Sequence, residues 1–199
     1  MSTVPAPDGE QHDTRKPETE QAGAAQPGGG HRLFWIAIVV GIVVVAIDQL
    51  TKWWALVHLK DGNAINVIGD LITLRLTFNA GAAFSTGTGF TWVFTIVSGA
   101  AAIAIAIVAW RVSSRRWAVG LGLVFGGATT HFGDRLFRAP AFGRGEVVDF
   151  IDYKYLFIGN VADIAIVGGV VFVVILMILG VRMRPATVGA AGDLSSPPK

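Results

Sequence analysis

The chain has 199 residues, of which 52% are hydrophobic and 15% charged, and its formal net charge is +2. Soluble domains carry about 25% charged residues, so this deficit, with a mean hydropathy of +0.56, points to a lipid bilayer as the solvent. The small net charge argues against a nucleic-acid partner, and the absence of cysteine excludes disulfides, thiolate metal sites and a cysteine nucleophile.

Residues 1–31 are rich in Pro, Gly, Gln and scattered charge. Such a segment buries too little apolar surface to order itself, so a disordered cytoplasmic tail is expected there and again over 183–199. Between the tails lie four apolar segments, 33–57, 90–110, 117–132 and 161–181, each near the ~20 residues of a membrane-spanning helix. The first is longer than the ~7–15 residues of a signal-peptide core and leads into Trp53 and Trp54, a pair suited to a membrane–water boundary. It is expected to be a permanent helix.

Arg32, the group Arg111, Arg115 and Arg116, and the pair Arg182 and Arg184 all fall on one side of a four-pass arrangement. The excess of Lys and Arg in cytoplasmic loops then puts both termini inside. Residues 72–78 alternate apolar and polar, the period of a strand with one buried face, so a small strand-bearing platform is expected on the outer side. The expected architecture is an all-α membrane protein of four transmembrane helices with a small extracytoplasmic β-containing platform, the membrane domain running over 32–182. Gly122 and Gly126 form a small-xxx-small pair that lets helices pack closely.

At 1.5 Å per residue, Asp48 lies roughly 24 Å along its helix from Arg32, Asp134 roughly 27 Å from Arg116, and Asp163 roughly 28 Å back from Arg182. Against a hydrocarbon core of about 30 Å, three acids on three helices reach one depth, and Asp149 lies in the connection that begins and ends there. Ionisable groups at such depth point to function. Asp48 and Lys52 stand four apart on one helix face and can pair; the alternative for Lys52 is an interfacial anchor. Asp149 and Asp163 are the candidate chemistry, since two close carboxyls share a proton and together can activate water. The alternative for Asp163 is a cap at the start of the fourth helix, which opens Asn160-Val161-Ala162-Asp163.

At these residues, over about 33–182, the sequence resembles the lipoprotein signal peptidases (signal peptidase II). The matching blocks are Asp48-Gln49-Leu50-Thr51-Lys52; Asn79-Ala80-Gly81-Ala82-Ala83-Phe84-Ser85; Gly126-Gly127-Ala128 running to Asp134-Arg135, then Val147-Val148-Asp149-Phe150; and Asn160-Val161-Ala162-Asp163. The resemblance implies an aspartyl endopeptidase of the bacterial cell membrane with Asp149 and Asp163 as catalytic pair. It implies that Asp48, Lys52, Asn79, Gly81, Arg135 and Asn160 shape the site or hold substrate. It further implies cleavage of prolipoproteins just before a cysteine that already bears diacylglycerol, without metal or cofactor, by a protein expected to act as a monomer. Three features depart from the family pattern: Thr130-His131 stand where the family usually has Gly-Asn, Gly159 where it usually has Phe, and the Asp149–Asp163 spacing is shorter than usual. The family Asn supports the site by hydrogen bonding, and His131 can do the same or else be a packed, satisfied polar residue.

Three rival readings carry different expectations. A small proton-coupled transporter requires polar residues along a path across the bilayer, and the other halves of the apolar segments lack ionisable groups. A structural subunit or catalytically inactive homologue would tolerate replacement of Asp149 and Asp163. A serine peptidase would pair Ser85 with Lys52.

Overall fold

The computed structural model describes residues 29–81 and 90–184. Most of the two expected tails, residues 82–85 of the second family block, and Ser85 of the serine-peptidase alternative therefore lie outside the described residues. The elements in chain order are α1 (Gly29–His58), β1 (Ala64–Ile68), β2 (Ile72–Asn79), α2 (Thr91–Ala109), α3 (Arg115–Phe137), β3 (Val147–Asp152), β4 (Ile158–Gly159) and α4 (Val161–Ile178).

Helices α1, α2 and α4 are long and apolar enough to cross a membrane. Their outward residues are large and apolar, among them Ile42, Leu50, Ile96, Ile103, Val167 and Met177. In water such exposure would be unfavourable at about 25 cal/mol per Å²; against acyl chains it costs nothing. The fourth long helix, α3, is less apolar, with Arg115, Arg116, Asp134 and Arg135 along it. Its position accounts for this composition, because α3 packs against each of the other three. An inner helix shows little of itself to lipid and can carry small and polar residues.

Those small residues set the helix spacing. A Cβ on Gly126 would lie 2.7 Å from the backbone oxygen of Gly41, and one on Gly122 2.7 Å from that of Ala37. The paired glycines thus bring α3 onto α1 with backbone against backbone, as their spacing suggests.

At one end of the helices the four strands form an antiparallel sheet in the order β1-β2-β3-β4. Strand β2 covers the alternating segment read in the sequence. Its partner β3 is buried along Val147–Phe150 because it is an inner strand, between β2 and β4, and packs against α1 and α3. The pairing sets Thr77 opposite Asp149 and Asn79 opposite Val147, so β2 delivers Asn79 to the neighbourhood of the β3 acid. The sheet docks through Phe150, which packs with Ala55 and Leu59 of the α1 end and with Leu74 and Leu76.

Candidate active site

Two polar clusters lie where the sheet meets the helix ends. The first is built on the single helical turn from Asp48 to Lys52. The Lys52 ammonium lies 2.6 Å from Asp48 Oδ2 and 2.7 Å from Asp134 Oδ2, and both Lys52 and Asp48 are fully buried. Thr130 donates to Asp48 Oδ2 at 2.6 Å. Gln49 donates to Asp134 Oδ1 at 2.8 Å, and Arg138, one turn further along α3, donates to the same oxygen at 2.7 Å and to Gln49 Oε1 at 3.0 Å. Two acids thus meet two bases, and a buried network of this kind is tolerable because each charge has a partner of opposite sign. The remaining oxygen of Asp48 accepts the backbone N–H of Ala162 at 2.9 Å. Asp48 therefore ties the start of α4 to α1.

The second cluster forms around Asn160. This residue caps α4 in a capping box: its side-chain oxygen accepts from the Asp163 N–H at 3.3 Å, and Asp163 Oδ2 accepts from the Asn160 N–H at 2.8 Å. Asp163 is therefore a cap, as one of its two readings has it, and the box uses one carboxyl oxygen and leaves Oδ1 open for the other. The amide of Asn160 has a second function. Its Nδ2 donates to Asp149 Oδ1 at 2.6 Å, while Asn79 Nδ2 donates to Asp149 Oδ2 at 2.8 Å. One asparagine thereby bridges a strand acid and a helix acid.

Asp149 is almost fully buried. Burial pushes its carboxyl up from 3.8 to about 6, the Asn79 amide opposes the rise, and the nearby charge of Asp163 adds to it. Asp163 is more open, with its side chain 29% exposed. Its free oxygen lies 3.1 Å from Nε2 of His131.

Asn79 also accepts the Gly81 N–H at 2.8 Å. Gly81 has φ +114°, where L side chains are strained, and a Cβ there would strike the Phe94 ring. Phe94 also meets Arg135, whose guanidinium carbon lies 5.3 Å from the ring centroid. Arg135 is 8% exposed, and its buried Nη1 has no hydrogen-bond partner among the described residues. The Gly159 departure has a local cause: a Cβ there would lie 2.7 Å from the Phe157 ring and 2.8 Å from Asp163 Oδ2. The aromatic ring in this place comes from Phe157 instead.

All eight residues singled out in the sequence fall in or beside these clusters. Asp149, Asp163, Asn160 and Asn79 meet around the paired acids, with Gly81 and Arg135 linked through Phe94. Asp48 and Lys52 belong to the ion network, joined to the acids through Ala162. Sequence reasoning left out Gln49, Thr130 and Arg138 as members of the network; it gave His131 a hydrogen-bonding role in the site but not Asp163 as its partner. The four-residue spacing of Asp134 and Arg138 was a usable signal; the others depend on helix packing that spacing does not reveal.

The signal peptidase II family matches residues 40–179. A lipoprotein signal peptidase of Mycobacterium bovis (strain BCG / Pasteur 1173P2) is 42% identical over 166 residues, covering 81% of this chain and 82% of its own. The lipoprotein signal peptidase of Rhodococcus jostii (strain RHA1) is 37% identical over 183 residues, covering 92% of both. A solved bacterial membrane enzyme superposes with a TM-score of 0.63 at 28% identity, covering 77% of this chain and 94% of that one. The described fold, with its apolar helices and antiparallel sheet, accords with these likenesses: the chain belongs to the signal peptidase II family.

Proposed function

We propose that this protein is a membrane-embedded aspartyl endopeptidase that removes signal peptides from diacylglyceryl-modified prolipoproteins, cutting before the lipidated cysteine. The observation that carries the reading is the bridge through Asn160, which holds Asp149 and Asp163 together at the sheet end of apolar helices. In this reading residues 32–182 form the peptidase domain and α3 crosses the membrane with α1, α2 and α4. Both termini are cytoplasmic, and the site lies just inside the outer boundary. The acyl chains of the substrate stay in lipid while its scissile bond meets water.

The chemistry follows from the proton shared by the pair. Asp149, which holds its proton up to about pH 6, donates to the scissile carbonyl oxygen. The ionised Asp163 takes a proton from water, and the resulting hydroxide adds to the carbonyl carbon. Collapse of the tetrahedral intermediate breaks the C–N bond, and the proton taken by Asp163 leaves on the new amine of the cysteine. Asn79 and Asn160 keep the Asp149 carboxyl in place. The buried, unpartnered Nη1 of Arg135 gives the peptide or lipid ester a cationic donor, since a buried unpaired donor is costly until something accepts from it. The enzyme acts as a monomer, because one chain supplies every group invoked.

Purified protein is incubated with a diacylglyceryl-modified preprotein and with its unlipidated form, comparing wild type, Asp149→Asn and Asp163→Asn. Cleavage of the lipidated form alone, lost in both variants, is expected. Cleavage surviving both changes removes the acid pair from the reaction, and equal cleavage of the unlipidated form removes the substrate assignment.

A further inference from the structure

His131 is a titratable side chain that the reaction as described does not use. It projects from α3 with its ring 18% exposed, and Nε2 lies 3.1 Å from Asp163 Oδ1. That is the oxygen left over by the capping box, since Oδ2 already accepts the Asn160 N–H at 2.8 Å. An ionised carboxylate has no hydrogen to offer, so the contact is a hydrogen bond when Nε2 carries the hydrogen.

The surroundings explain why such a group belongs here. The charges of the ion network, Asp48 and Asp134 with Lys52 and Arg138, balance one another. Asp149 on β3 and Asp163 on α4, sharing one proton, hold a single negative charge, and Tyr153 after β3 faces Asp163. From α3 itself Arg135 acts on Asp149, from α1 Lys52 acts on Asp163, and α2 has no titratable residue. Arg135 faces the Asp149 side of the pair, and an imidazolium against Oδ1 sets a cation on the Asp163 side, with a field that reaches Asp149 as well.

Resting on the assignment of Asp149 and Asp163 as the reacting pair, we propose that His131 is a positioning residue of the reaction. Its Nε2–H, donated to Asp163, anchors one carboxyl oxygen and fixes where the shared proton sits. The site then holds three polar groups in one chain of contacts: Asp149, Asp163 and the ring that donates to Asp163 Oδ1. Asparagine at this position keeps a donor and loses the charge.

The test is the pH profile of kcat/KM on the diacylglyceryl-modified preprotein for wild type, His131→Asn, His131→Gln, Asp149→Asn and Asp163→Asn, with folding checked by thermal unfolding in detergent. His131→Asn is expected to cleave, with the acid limb displaced to higher pH by about one unit, because a cation beside a carboxyl favours its ionised form. Should His131→Asn fail to fold, His131→Gln is read in its place. A profile that overlies the wild-type one, or a rate lowered equally at every pH, overturns the proposal while the acid pair stands. Cleavage surviving in both aspartate variants instead removes the pair, and this inference with it.

Discussion

The two polar clusters sit side by side and hold acids in opposite ways. Around Lys52 each carboxylate faces a cation, and Asp48 and Lys52 are sealed from solvent. Around Asn160 the acids are held by the amides of Asn79 and Asn160, with one imidazole against the more open of them. Burial alone therefore does not mark chemistry, since the most buried charges belong to the network that fastens helices. In the proposed reading the pair differs in being held chiefly by neutral amides rather than by paired cations: close acids so held share a proton, and a shared proton is available to a substrate.

This comparison can be broken by substitution. The largest effect is expected at the pair, where Asp149→Asn or Asp163→Asn lowers cleavage by about 10³-fold while the thermal midpoint in detergent stays near that of wild type. A midpoint falling as far as the activity would place the pair with the fastening network. Next is Lys52→Met, which leaves Asp48 and Asp134 facing each other without their shared cation. Breaking one partner from a buried ion network costs about 3–5 kcal/mol, so poor recovery of folded protein is expected, read by size-exclusion in detergent.

A smaller effect sharpens the contrast through pH. Asp149 titrates at about 6 in the folded chain against an ordinary 3.8, so the folded state binds this proton more tightly than the unfolded state. The stabilisation is fully present below about pH 4 and is lost as pH rises through 6. At about 1.4 kcal/mol per unit the loss amounts to about 3 kcal/mol. Unfolding followed from pH 4 to 7 should show a shallower decline in Asp149→Asn than in wild type. The smallest effect belongs to the exposed pair of Arg75 with Asp152, 2.6 Å apart. Solvent screens such a pair, and Arg75→Ala is expected to change stability by under about 1 kcal/mol with cleavage unchanged.

Much of this was legible in the sequence. Helix rise alone brought Asp48, Asp134 and Asp163 to one depth, and period-two alternation found β2 to within a residue of Ile72–Asn79. The 117–132 segment was read short, because α3 continues through Asp134 and Arg135 to Phe137. Hydropathy stops at charges, whereas the helix continues because those charges are paired inside the bundle. The links of Thr130 to Asp48 and of His131 to Asp163 join residues on different helices. Their meeting depends on how the glycine seam of α3 rotates against α1 and how α4 docks, which no spacing rule encodes.

Asp163 sits in the first turn of the last helix, and its partner sits on a strand whose buried face needs the helices already assembled. During synthesis the first three long helices leave the ribosome without the residue that completes the pair. On the proposed assignment the acid pair is incomplete until α4 arrives and Asp48 accepts the backbone N–H of its opening turn. Proteolytic competence on that assignment is a product of finished assembly.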